Sequence, residues 1–140
     1  MLEKREEREE KRERVMGRID KIESFRDLKV YQRAYACSLD IHRMSLTFPK
    51  HEQMELAGQI RRASKSVAMN IAEGFGKNSS LAEFKRFVMI ALGSCDEVRV
   101  QIDYSRDLGY ISQEEHGRYE EEYVVVKRML ISMLKNWRKI

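Results

Sequence analysis

The sequence predicts an all-α protein: an up-down-up-down antiparallel four-helix bundle with a charged N-terminal helical extension. Three observations lead there. Helix breakers are scarce, with one proline and seven glycines in 140 residues, which favours long helices over short strands. Apolar residues recur every three or four positions in four segments, the spacing that lines one face of a helix. Short turns with helix-start and helix-stop residues divide those segments, and short connections make sequential helices antiparallel neighbours. A hydrophobic content of 42% is adequate for one core, and this length favours a single domain. The expected division is an extension over residues 1–24 and a bundle over residues 25–140.

The extension is the most charged part of the chain. Residues 1–24 hold eight basic and eight acidic side chains, so the net charge of +4 belongs to the bundle. Glu7 with Lys11 and Glu10 with Arg14 stand in the favourable order for ion pairs along a helix. So charged a segment reads as a solvated helix or a partly disordered extension. The alternative is an arm that contacts a neighbouring subunit through Met16, Ile19 and Ile22.

The first bundle helix is expected to start near Asp27, as N-cap, and to run to about Leu46. Val30, Ala34, Cys37, Ile41, Met44 and Phe48 form its core face, Tyr31 and Tyr35 flank it, and Pro49 ends it. The second helix is expected from about Glu52 to Glu73, with Leu56, Ile60, Ala63, Val67 and Asn70 or Ile71 facing inward. Its many small residues favour close helix packing. Gly74 fits the left-handed position just past a helix end, which makes Gly74 to Ser80 the main interior loop. Ser80 with Glu83 has the spacing of a capping box for the third helix. Phe84, Val88, Ala91, Cys95, Val98 and Ile102 form that helix's core stripe, and Gly109 closes it. Ser112 with Glu115 repeats the capping-box spacing before the fourth helix, whose stripe is Tyr119, Tyr123, Val126, Leu130, Met133 and Trp137. Acids gather at the start of this helix and bases at its end, as the helix dipole favours.

The apolar stripes are wider than one core needs. Tyr31, Tyr35, Phe87, Ile90, Leu92, Val124, Val125, Met129, Ile131 and Leu134 are surplus. Such surplus predicts subunit contacts and a homo-oligomer.

Motifs that carry chemistry are missing from the sequence. His42, His51 and His116 lack the spacing of a zinc site or of a di-iron bundle. Gly74 and Gly76 belong to neither a dinucleotide fingerprint nor a phosphate loop, and no nucleophile elbow occurs. No enzymatic activity, metal or cofactor is expected. Cys37 and Cys95 are expected to be buried reduced thiols of a cytoplasmic protein. No apolar run approaches the ~20 residues of a membrane span.

Two polar groups remain. Asn70, Glu73 and Gly74 are expected to structure the turn that follows them, because helix ends leave unpaired backbone groups. The basic residues Arg61, Arg62 and Lys65, followed by Lys77, Lys85 and Arg86, are candidate nucleic-acid contacts. Arg61 and Lys65 share a face and repel unless an anion lies between them. Pairing with Glu55, Glu73, Asp96 or Glu97 is the competing reading, and both stay open. No aromatic and basic module of the RNA-recognition-motif kind is present, so shape and charge readout are expected.

The stretch from Gln59-Ile60-Arg61-Arg62-Ala63-Ser64-Lys65 through Asn70-Ile71-Ala72-Glu73-Gly74-Phe75-Gly76-Lys77 closely resembles the signature of the 23S ribosomal RNA intervening-sequence proteins, also called S23-type proteins. Phe25-Arg26-Asp27-Leu28-Lys29-Val30-Tyr31, Phe48-Pro49 with Glu52 and Leu56, Ala91 to Val98, and Leu108-Gly109-Tyr110-Ile111 match further motifs of that family. The resemblance covers about residues 25–135. It implies an up-down four-helix bundle, a homopentamer, and no established enzymatic activity or catalytic residues. Related bundles serve as accessory proteins of diversity-generating retroelements, binding nucleic acid and a reverse transcriptase. The expectation is therefore a basic oligomer that touches structured RNA or other nucleic acid. A scaffold recruiting a protein such as a reverse transcriptase is the alternative.

Overall fold

A computed structural model describes residues 4–8 and 22–136. Residues 4–8 are helical. Met16 and Ile19 of the expected arm, and Trp137 of the last stripe, lie outside the described residues. Ile22 packs against the core.

Four long helices follow in order: α1 (Lys29–Ser45), α2 (Leu56–Gly76), α3 (Leu81–Asp107) and α4 (Gln113–Asn136). Single 3₁₀ turns, Phe25–Asp27 and Lys50–Glu52, precede α1 and α2, and no strand occurs among the described residues. Contacts between helices fix their directions. Ser45 and His42 of α1 meet Arg61 and Lys65 of α2. Ser66 of α2 meets Ser94 of α3, and further along Gly74 meets Phe84 and Phe87. Asp96 and Asp103 of α3 meet Lys127 and His116 of α4. Each pair runs in opposite senses, and Arg33 reaches Glu122 to set α1 beside α4. The result is the up-down-up-down antiparallel bundle.

The predicted stripes form the core. All six core positions of the first stripe are buried, as are Leu56, Ile60, Ala63, Val67 and Ile71 of α2, all six of α3, and Tyr119, Tyr123, Val126 and Leu130 of α4. Each large apolar side chain so buried contributes about 1.5–3 kcal/mol. Met133 of the last stripe is partly buried against the core, and part of the apolar surplus is absorbed as well, since Tyr31, Leu92, Met129 and Leu134 pack there too. Tyr35, Ile90 and Ile131 stay exposed.

Cys37 and Cys95 are free and buried. Burial pushes both thiols up to about 12, with the Glu122 charge adding to it at Cys37 and Asp96 at Cys95. They stay protonated near neutrality and are poor nucleophiles. Among the described residues, no helix is long and apolar enough to cross a membrane.

Helix ends follow the expected chemistry at three places. Ser80 Oγ accepts from the Glu83 amide at 3.3 Å. Ser112 and Glu115 form a reciprocal capping box, at 3.0 and 3.2 Å. Gly109 takes φ 80°, and the Tyr110 and Gly109 amides donate to the Ser105 and Arg106 carbonyls in a Schellman closure.

Three ends differ from expectation, the first being the start of α2, which begins at Leu56 because Glu52 closes a separate 3₁₀ turn after Pro49. Asp27 is not the N-cap of α1. Ser24 caps the preceding 3₁₀ turn, and the Asp27 carboxylate accepts from the Ser24 and Glu23 amides. Nor does Gly74 end α2. The helix continues to Gly76, and Gly74 is buried inside it. A methyl group there would sit 3.2 Å from Phe87 Cβ and 3.5 Å from the Phe84 carbonyl oxygen. Glycine is favoured at this point by the close approach of α3, not by a left-handed turn.

Candidate nucleic-acid interface

Each pair of neighbouring helices meets along a seam at the surface, and the seams treat charge differently. On the α3/α4 seam, Arg99 donates to Glu120 at 2.6 and 2.9 Å and to Asp96 at 3.1 Å, while Lys127 holds Asp96 at 2.6 Å. The Lys127 hydrogen bond is the main reason the Asp96 carboxyl is held below its usual range. On the α4/α1 seam, Arg33 clasps both oxygens of Glu122, at 3.0 and 3.1 Å, and lowers that carboxyl too. Arg99, Lys127 and Arg33 on these two seams are thus neutralised by carboxylates within the chain.

The α1/α2 seam is built otherwise. Lys65 Nζ donates to Nδ1 of His42 at 2.9 Å, which requires the neutral ring with its proton on Nε2. Partial desolvation, then the charges of Lys65, Arg61 and Arg43, hold His42 below the usual histidine range. Arg62 and Lys65 are both exposed, and neither makes an ion pair among the described residues. Arg43 meets Asp40 only at 3.7 Å, with both side chains well exposed, and a pair of that kind screens little charge.

Arg61 differs from its neighbours. Its guanidinium donates to Ser45 Oγ at 2.9 Å, to Gln53 Oε1 at 3.2 Å and to the Gln53 carbonyl at 2.8 Å. Gln53 in turn donates to the carbonyls of Ser45 and Phe48. Arg61 therefore braces the turn between α1 and α2 and complements the C-terminal dipole of α1. Its partners are neutral groups, not the carboxylates of the competing reading. Arg61→Ala is expected to lower the free energy of unfolding by about 1–3 kcal/mol in urea titrations, the range for losing hydrogen bonds to a charged group.

The other basic residues lie at the opposite end. Lys77 follows Arg61 by sixteen positions, about 24 Å along a helix. Lys77 and Lys85 are exposed. Arg86 pairs with Glu83 at 3.3 Å and covers the Phe87 ring at 4.7 Å. The six sequence-predicted residues thus form two groups, Arg61, Arg62 and Lys65 at one end of α2, and Lys77, Lys85 and Arg86 at the other. Sequence reasoning missed His42 and Arg43 as neighbours of the first group; the place of His42 on the same side of α1 as Ser45, which faces α2, was the available signal.

Asn70 does not reach the turn. Its amide donates back to the Ser66 carbonyl at 2.8 Å and to Ser66 Oγ at 3.0 Å, and Ser66 meets Ser94 of α3. Glu73 is exposed and contributes its backbone carbonyl, which accepts from Lys77. A surface depression lies elsewhere, between α2 and α3. It has a volume of about 680 Å³ and is lined by Leu56, Gln59, Ile90, Val100 and Tyr104, with Asp96 and Glu97 beside them. Among the described residues, no cluster of three or more His, Cys, Asp or Glu could hold a metal ion.

Comparison with known proteins agrees with this architecture. A family model described as 23S rRNA-intervening sequence protein matches residues 26–132. The crystal structure of a protein of unknown function from the S23 ribosomal protein family of Bacteroides thetaiotaomicron VPI-5482 superposes with a TM-score of 0.69 at 21% identity. The match covers 76% of this chain and 95% of that one, a likeness of fold. No match is found among curated proteins.

Proposed function

The chain belongs to the 23S rRNA-intervening sequence protein family, and from that premise we propose a non-enzymatic, oligomeric bundle that binds structured RNA or other nucleic acid through backbone phosphates. One observation carries this reading. On the α1/α2 seam Lys65, with Arg62 three positions before it on α2, makes no ion pair among the described residues and donates to a neutral histidine, whereas Arg99, Lys127 and Arg33 on the α3/α4 and α4/α1 seams are tied to carboxylates. Cations without internal counter-charges are the ones free to replace the counterions of a polyanion. The expected result is measurable binding of a folded RNA at low salt by fluorescence anisotropy, with affinity falling steeply between about 50 and 200 mM salt. A salt-independent signal, or none, rejects phosphate contact.

The exposed apolar side chains Ile90, Val100 and Tyr104 on α3 support self-association. The family resemblance points to a pentamer in the cytoplasm. Repeating the seam in each copy would multiply its attraction for one long ligand. Light scattering is expected to give a multiple of the 16.6 kDa subunit mass; a single-subunit mass at micromolar concentration rejects oligomerisation. The same apolar face favours a second reading, in which the bundle recruits a protein partner such as a reverse transcriptase. Partner binding that survives charge reversal at Arg62 and Lys65 would support it.

His42 supplies a pH test. A phosphate beside Lys65 offsets the cations that depress the ring, so ring protonation and ligand binding favour each other. Affinity is expected to rise as pH falls toward and below the usual histidine range, where the depressed His42 ring takes up its proton, and the His42 resonance should titrate at higher pH with nucleic acid bound. His42→Gln should remove that increment.

A further inference from the structure

We propose that the aromatic row beside this seam is a stacking platform, and that the ligand presents an unpaired strand there rather than regular duplex. The inference rests on the phosphate-contact reading above and adds the state of the bases.

The row is continuous. Arg26 covers the Phe25 ring at 4.5 Å. Phe25 meets Tyr31 edge-on at 4.9 Å, and Tyr31 stacks with Tyr35 at 5.9 Å and 25° between planes. Gln32 ties the Phe25–Asp27 turn to α1 by donating to the Arg26 carbonyl at 2.7 Å, so the first ring is fixed relative to the others. Tyr31 packs against the core. Tyr35 is 49% exposed, and among the described residues no further ring or guanidinium stacks on it. The row therefore ends in a large aromatic surface open to solvent, anchored behind by the partly buried Tyr31 and Phe25 rings.

This end of the row faces the cations. Tyr35 and His42 are seven positions apart, almost two full helical turns, so they lie on one face of α1 about 10.5 Å apart along the axis. That distance spans about three nucleotides at the rise of one duplex strand. Lys65 is held at His42, and Arg62 lies three positions before it on α2. Phosphates at the lysine and a base on the tyrosine can thus belong to one short strand. Regular duplex stacks its bases inward and offers none to a protein ring, whereas unpaired bases stack on aromatic side chains with little regard to sequence. No hydrogen bond engages the Tyr35 hydroxyl among the described residues, and its exposed ring adds little to the core, so packing alone does not account for it.

The test compares a single-stranded RNA of about 12 nucleotides with the matching duplex, by anisotropy on the full chain. Tyr35→Ala is expected to weaken single-strand binding about five-fold or more, to leave the salt slope unchanged, and to leave duplex binding unchanged. Tyr35→Phe should retain wild-type affinity. If Tyr35→Ala leaves the single strand bound as before while Lys65→Ala weakens both ligands, the platform is rejected and phosphate contact stands. If neither RNA binds at low salt, both readings fall. In the unmutated chain, a photoactivated 5-iodouridine strand should crosslink to Tyr35, and crosslinks confined to other residues overturn the proposal.

Discussion

Phe84→Ala should lower the free energy of unfolding by about 3–5 kcal/mol, the cost of removing a fully buried phenylalanine and leaving a cavity. Phe84 has no exposed surface and sits where α3 comes nearest Gly74 of α2. Neighbours can relax into the space only slightly, because the backbone of α2 already touches α3 there. Small domains have about 5–15 kcal/mol in total, so this one change removes a large fraction. Urea titration followed by circular dichroism measures it. A loss below about 1 kcal/mol would mean that the two helices do not pack in this way.

The second large effect concerns binding. Reversing both exposed cations of the seam, Arg62→Glu with Lys65→Glu, should lower the salt slope of nucleic-acid binding by about two, one for each phosphate no longer neutralised. At about 50 mM salt that corresponds to about a hundred-fold weaker affinity from counterion release alone. Neither side chain makes an ion pair among the described residues, so the fold should tolerate the double substitution. Arg61 is left intact because its reversal would break the brace to Ser45 and Gln53. The control is Lys77→Glu with Lys85→Glu at the far end of α2. An equal effect there would move the interface off the seam.

The core is legible in the sequence because burial in a bundle follows the 3.6-residue period directly. Every core position read from the first and third stripes is buried. Helix ends are legible where a side chain supplies the cap itself, as at Ser80 and Ser112. They are not where the deciding atoms come from another element. A glycine that ends a helix and one that admits a neighbouring helix look alike in one chain, and only Phe84 and Phe87 across the gap distinguish them at position 74. The basic group is legible as composition but not as geometry. Arg61 and Lys65 stand one turn apart with the same charge, yet the first turns inward to neutral acceptors and the second outward to His42. Reach and rotamer separate them, and neither is written in residue spacing. Tyr31 and Tyr35 stand out in the sequence only as surplus apolar surface, whereas their ordering into a row needs the Phe25 turn folded back against α1.

The near-contact at Gly74 also decides how the bundle can breathe. The α2 backbone comes so close to Phe84 and Phe87 that a methyl group would crowd them, and a splaying of α2 from α3 hinged at that tightest point acts as levers do about a fulcrum. Displacement then grows toward the other end of the molecule, around residues 45–56 and 107–113. That is where Arg61 grips Gln53 and where Tyr110 donates to Glu52 at 2.8 Å, two polar ties placed where the leverage against them is greatest.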